Sequence, residues 1–257
     1  MDTLINREQL TTYLNEYLKI DSFKDYGPNG LQIEGRETVE RVGFAVSATK
    51  QSIEEAIRNK VDTLIVHHGL FWSFHGIRTI TGPFARRVKP LITNNINLIG
   101  YHLPLDAHHE VGNAAAIANK LELVTQKPFG DHKGSPTGIQ GELPKPLKAK
   151  ELKVILEKVL DHDVIISTPN PDQVIQNIGI ITGGANGDWI HAEANGLDAY
   201  LTGEISEHDW HEAKEAGIHM FAGGHNATER FGVQELMAHL EEKFHLECLY
   251  FDSPNPA

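Results

Sequence analysis

Apolar residues return at three- and four-residue steps over 6–18, at Leu10, Tyr13, Leu14, Tyr17 and Leu18, and predict an opening helix. The segment DYGPNGLQIEG, 25–35, places a Pro-Asn-Gly turn before a short extended piece. An apolar run over 41–46 predicts a strand and 52–59 a helix. A second strand, 61–66, stops abruptly at His67-His68-Gly69. A helix over 83–94, a third strand over 96–100 and an Ala-rich helix over 111–121 follow, the last two separated by YHLPLDAHHE. Strands alternating with helices predict an α/β fold with mainly parallel sheets. The stretch 125–146 is rich in Gly, Pro and Lys and marks the expected boundary, giving a first α/β half over 1–127 and a second over 128–257, whose end returns to the first. A helix over 150–160 and a strand over 164–167 lead to Pro169-Asn170-Pro171, after which the pattern restarts.

Overlaying the halves exposes an internal resemblance. Val42-Gly43 matches Ile178-Gly179, and Val61-Asp62-Thr63-Leu64 matches Leu197-Asp198-Ala199-Tyr200; both share one offset, 179 − 43 = 198 − 62 = 136. His67-His68 then falls on Gly203-Glu204. Gly100-x-His102-x3-Asp106 corresponds to Gly223-x-His225-x3-Glu229 with an offset of 225 − 102 = 123, because the first half carries extra residues around Phe71 to Gly82. A divergent duplication accounts for these matches, giving two pseudo-symmetric halves; chance alignment of short βαβ units is the alternative.

Composition narrows the class. The chain has 257 residues, 40 % of them hydrophobic and 23 % charged, which fits a globular protein of one or two domains. A net charge of −12 argues against a broad surface for nucleic-acid phosphate. The single Cys248 excludes an internal disulfide framework and a Cys-rich zinc module. The amino terminus lacks a basic opening and a long apolar core, and no run reaches membrane-span length, so a cytoplasmic protein is expected.

Fifteen histidines are many for this length, and several follow apolar strands. Ligands of open α/β sheets bind outside the carboxyl ends of strands, where His67-His68 falls. Neighbouring strand side chains point to opposite faces, so both rings can serve one site only if the chain turns there, and Gly69 would permit that turn. Two adjacent imidazoles suit two metal ions, although an ordinary polar pair at a loop start is the simpler alternative. Asp106 follows the next strand, and a carboxylate bridges two divalent ions; it could equally cap the Ala-rich helix. His102 is expected to support the site or move protons, whereas His108 and His109 are expected to be solvated. If a helix starts near Asn226, His225 and Glu229 share a face one turn apart; the alternative for Glu229 is an acidic residue complementing the helix dipole. Glu204 and His208 are further acid/base candidates.

Three imidazoles and two carboxylates without a thiolate suit Zn, Fe, Mn or Co in an open catalytic site. Water held between two such ions is a hydrolytic nucleophile at neutral pH. No Walker-type phosphate loop, nucleophile elbow or dinucleotide fingerprint is present.

The segments DYGPNGLQIEG, IVHHGLFW, YHLPLDAH, AYLTGEISEH and AGGHNATERFGV, in this order, resemble one family over nearly the whole chain: GTP cyclohydrolase I type two, also called NGG-interacting-factor-like. The resemblance is to its short form. It implies a dinuclear metal centre at the residues matching His67, His68, Asp106, His225 and Glu229, with two divalent ions (Zn, Fe or Mn) per subunit. It also implies a toroidal homohexamer, a trimer of dimers with the metal sites facing an interior cavity. The expected activity is metal-dependent hydrolysis of a small nucleotide, opening the imidazole ring of GTP by attack at C8. The site is expected at strand carboxyl ends between the halves. A non-catalytic metal-binding or regulatory hexamer, and a hydrolase of another substrate such as a phosphoester or peptide, are the alternatives.

Overall fold

The computed structural model describes residues 4–257. It divides into two compact units: one runs to Leu105 and takes in Gly232–Pro254, and the other comprises Asp106–Phe231 with Asn255–Ala257.

The first unit is built on a five-stranded sheet in the order Glu247–Tyr250, Arg41–Ser47, Thr63–His68, Asn97–Gly100 and Gly30–Ile33. The first four strands are parallel and Gly30–Ile33 closes the edge antiparallel. Leu64, Ile65 and Val66 in succession are fully buried, the unbroken apolar pattern of a parallel strand covered on both faces. Helices Lys50–Arg58 and Gly82–Thr93 supply Ile53, Ala56, Phe84, Val88 and Leu91 to this core. Thr49 and Ser52 form a reciprocal capping box that starts the first of these helices, and Asn6 caps Arg7–Tyr17 through its side chain.

The second unit carries a six-stranded sheet in the order Val124–Phe129, Gly138–Lys148, Val174–Ile180, Ala199–Thr202, His219–Ala222 and Ile165–Ser167. Its three central strands are parallel and the flanking ones antiparallel. Leu152, Leu156, Ile117, Ile178, Leu201 and Phe221 fill one core; Tyr200, Met220, Trp189 and Ala213 fill another. Among the described residues, no helix is long and apolar enough to cross a membrane.

The α/β class and the parallel central strands match expectation, but three points differ. The stretch 125–146 is no boundary: it forms most of an antiparallel hairpin of the second sheet. Its prolines misled the reading, since Pro144 and Pro146 sit where the pairing with Val174–Ile180 skips from Leu147 to Glu142, in a bulge that needs no ladder donor there. The compact division accordingly falls at Leu105/Asp106 and not at 127/128, because the helix Asn113–Lys120 packs its alanines and Ile117 into the second unit's core. Finally, the strand Thr63–His68 runs straight through both histidines, with His68 still in register opposite Ser47. Gly69 is needed for space: a Cβ there would overlap the Gln32 amide, whose Oε1 accepts the Leu70 N–H at 2.9 Å.

The internal resemblance has physical content. Asp62 Oδ2 accepts the N–H groups of Glu40 and Arg41, both at 3.0 Å, and Asp198 Oδ2 accepts those of Gln176 and Asn177 at 2.8 and 2.9 Å, each 136 positions on. Gly43 and Gly179 likewise share a task, leaving room for the Phe251 and Phe129 rings respectively.

Candidate metal centre

In the first unit three imidazoles converge at the carboxyl ends of two neighbouring parallel strands. Ring centroids are 4.6 Å apart for His67 and His68, 5.1 Å for His67 and His102, and 5.7 Å for His68 and His102. Each residue offers a ring nitrogen within 4.8 Å of the others. His67 is fully buried and its Nδ1 lies 2.9 Å from the Tyr101 carbonyl oxygen, so Nδ1 carries the proton and Nε2 is the nitrogen that could coordinate an ion. His68 Nδ1 lies 3.0 Å from Ser47 Oγ, and His102 Nδ1 lies 2.7 Å from Asp25 Oδ1. All three rings are therefore held through Nδ1, the usual arrangement of outer partners that orients imidazole ligands.

Asp25 was not among the residues singled out from the sequence, although it opens the DYGPNG turn. Its side chain is only 3 % exposed. It accepts the backbone N–H groups of Tyr26 at 2.6 Å and Leu103 at 3.0 Å, and the Asn29 amide at 2.9 Å. Burial pushes its carboxyl up, but His102, Asn29 and the Tyr26 N–H outweigh this and bring it down to about 2. Asp25 thus stays ionised and backs His102 with a full negative charge.

In the second unit, His225 opens the helix His225–Phe244 directly after Gly223-Gly224, so His225 and Glu229 share a face as expected. His225 Nε2 is 3.1 Å from Glu229 Oε2, and its Nδ1 is 2.6 Å from Glu204 Oε1. Burial pulls this imidazole down, yet the hydrogen-bonded carboxylates of Glu229 and Glu204 more than offset that and raise it to about 9. Asp106 and Glu229 are buried, and their carboxylates come within 4.8 Å of each other. Two buried carboxylates this close favour a positive charge beside them, which the His225 imidazolium supplies to Glu229 and which a metal ion could also supply. Asp106 Oδ1 also accepts the Asn113 amide at 2.8 Å and the Thr182 hydroxyl at 3.3 Å.

The loop after Val174–Ile180 closes on this group. Gly183, at φ +69°, has no room for a Cβ because Glu229 and His225 lie against it, and its N–H donates to Thr228 Oγ1 at 3.1 Å. Farther along, the buried Asp209 accepts Asn186 Nδ2 at 2.8 Å and the Trp189 indole N–H at 3.1 Å, tying the loop to the helix Glu207–Glu215. Gly203, the counterpart of His67, would carry a Cβ into His225 and the Gly183 carbonyl. That close approach leaves no room for a side chain at the position matching His67.

Other expected residues are placed differently. His208 is 65 % exposed on the first turn of Glu207–Glu215, with Nε2 3.6 Å from Asp209 Oδ1, and faces solvent. His109 is solvated as expected, but His108 is buried: its Nδ1 accepts the N–H groups of Glu110 and Val111 and so shapes the turn before Asn113–Lys120.

The donor set in both units, imidazole nitrogens fixed through Nδ1 and buried carboxylates with no thiolate, fits Zn, Fe or Mn. Fold and site together define a mixed α/β protein whose strand ends present groups that could bind metal. The chain belongs to the Duf34/NIF3 (NGG1p interacting factor 3) family, which it matches over residues 5–256. It is 39 % identical over 254 residues to a GTP cyclohydrolase 1 type 2 homolog of Haemophilus influenzae, covering 98 % of this chain and 100 % of the relative. A protein of the same description from Neisseria meningitidis is 40 % identical, covering 99 % and 100 %. Among solved structures, protein ybgI, described as of unknown function, superposes with a TM-score of 0.92 at 39 % identity, over 98 % of this chain and 100 % of that one. TTHA1606 from Thermus thermophilus superposes with a TM-score of 0.89 at 34 % identity, over 98 % and 100 %.

Proposed function

We propose that this protein is a metal-dependent hydrolase that opens the imidazole ring of GTP, with two divalent ions per chain held by His67, His68, Asp106, His225 and Glu229. The observation that carries the metal assignment is the orientation of the imidazoles through Nδ1, together with the close approach of the buried Asp106 and Glu229 carboxylates. The reaction rests on the relatives described as GTP cyclohydrolase 1 type 2 homologs. Divalent ions supply Lewis acidity and lower the pKa of bound water toward neutrality.

The chain's own residues provide orientation and proton transfer. His102, held by the ionised Asp25, keeps its Nε2 on the side of His67 and His68, where it can take and return a proton. Glu204 fixes the His225 ring and, with its side chain 50 % exposed, can exchange protons with water. The net charge of −12 disfavours an anionic nucleotide, so the site needs local positive charge, to which the ions would contribute. The chain acts, in this proposal, as the homohexamer that the resemblance implies.

The test is formate release from GTP by protein reconstituted with Zn, Mn or Fe, with Glu229→Ala as control. Release that disappears in the variant supports the reading. Absence of release with every metal overturns the reaction, and a panel of phosphoesters and peptides then separates another hydrolase from a non-catalytic metal protein. Metal content unchanged in both His68→Ala and Glu229→Ala would sink the ligand assignment.

A further inference from the structure

Beside the histidines of the first unit lies a cavity of about 350 Å³ that the metal chemistry leaves unexplained. Tyr26, Phe71 and Trp72 give it aromatic walls, and Asp25, Ser73 and Arg78 supply polar groups. Its volume is at the lower end for a small-molecule site, enough for a ring system and too small for a folded partner's segment.

The walls are held in place. The Trp72 indole N–H donates to the Gly69 carbonyl at 3.1 Å, and the Ser73 N–H donates to the Tyr26 carbonyl at 2.7 Å, closing the loop that carries Trp72 against the DYGPNG turn. Gly27 is packed so closely that a Cβ would overlap the Phe71 carbonyl. The same indole borders the imidazoles: its centroid is 5.0 Å from His102, edge to face, and 6.0 Å from His68. A group lying on Trp72 is therefore next to the histidine cluster.

Charge selects the occupant. Among the described residues of the lining Arg78 is the one cation, stacked over Phe84 at 4.1 Å, with Nη1 3.0 Å from His75 Nδ1. The carboxylate of Asp25 is already engaged by His102, Asn29 and two backbone N–H groups. The guanidinium thus places a permanent positive charge in the lining of an aromatic slot in a strongly acidic chain.

We propose that this cavity is the recognition subsite for a planar heteroaromatic ring bearing an anionic group, with Trp72 as the stacking platform and Arg78 as the partner of the anion. The inference rests on the nucleotide reading above and adds where the ring and the anionic group are held.

Binding can be measured apart from turnover. Calorimetric titrations of metal-free protein with GTP, guanosine and inorganic triphosphate are compared for wild type, Trp72→Leu and Arg78→Ala, with circular dichroism as the folding check. Arg78→Ala is expected to weaken GTP about tenfold, the usual effect of removing a charge-assisted hydrogen bond, and to leave guanosine unaffected. Trp72→Leu should weaken GTP and guanosine about tenfold each and leave triphosphate unchanged. Unchanged affinities in both variants, or no binding of GTP or guanosine to the wild type, overturn the subsite. GTP binding with the expected losses but no formate release would leave the subsite standing and defeat the hydrolase reading. Formate release with an unaltered KM in both variants would do the reverse.

Discussion

The carboxylate of Asp25 lies 2.7 Å from Nδ1 of His102, and the duplicate half repeats the pairing: Glu204 lies 2.6 Å from Nδ1 of His225, the residue 123 positions after His102. The two carboxylates come from unrelated places, one from the turn before the edge strand and the other from the loop after Ala199–Thr202. The outcome is nevertheless the same, an imidazole fixed in orientation through Nδ1.

If Asp25 orients His102, Asp25→Asn should leave the fold intact and lower divalent-metal affinity or the proposed activity by about 10–100-fold, as loss of an outer carboxylate partner does elsewhere. Competition with a chelator measures the affinity. An unaltered affinity together with unaltered turnover would show that His102 does not need its partner.

The duplicated glycines lead to a packing prediction. A Cβ at position 43 would overlap the Phe251 ring, which lies over the parallel strand beside Glu247–Tyr250. Gly43→Ala should therefore destabilise by about 1–3 kcal/mol through overpacking, and the double change Gly43→Ala with Phe251→Leu should recover part of that loss. Denaturant unfolding checks both. Equal stability of wild type and Gly43→Ala would show that the ring moves aside without cost.

Asp62 and Asp198 each tie two consecutive N–H groups of the neighbouring strand's entry, and neither stands at the strand ends that carry the candidate metal-binding groups. Asp62→Ala, which also removes the 3.1 Å ion pair with Arg36, should cost about 1–3 kcal/mol of stability while metal content stays at the wild-type level. A loss of bound metal greater than the loss of folded protein would contradict this division between scaffold and site.

Much of this was legible in the chain because parallel strands are written as unbroken apolar runs and because their carboxyl ends are where chemistry-bearing residues collect. The Gly-x-His-x3-acid repeat located both His102 and His225, and helical spacing paired His225 with Glu229. Asp25 was hidden because its contact with His102 spans 77 positions, and at the head of the DYGPNG turn it reads only as a turn residue. The hairpin at 125–146 was hidden because proline ordinarily argues against a strand, and a bulge that accommodates proline leaves no simple pattern. Gly69 was read as a turn, whereas a close side-chain neighbour from another strand sets its need; only the fold shows that neighbour.

Acid sensitivity follows from His219. It is fully buried at the start of His219–Ala222, its ring Nδ1 lies 2.8 Å from Thr168 Oγ1, and its backbone N–H donates to the Asp198 carbonyl at 3.0 Å. Burial lowers its pKa from the ordinary 6.5, and the nearby Asp198 charge only partly opposes this. The unfolded chain therefore binds a proton near 6.5 that the folded chain refuses, so stability is retained above that value and falls as the pH drops through it. The slope from this one group approaches but cannot exceed about 1.4 kcal/mol per pH unit. His225 has the opposite sign in metal-free protein, contributing fully below 6.5 and losing its contribution as the pH rises through about 9, so it adds nothing to the acid-side decline. Unfolding measured between about pH 8 and about pH 5.5 should give a shallower acid-side decline for His219→Gln than for wild type, even though the variant is less stable at the upper end. Parallel declines would show that His219 takes up its proton without unfolding and would place the acid sensitivity elsewhere.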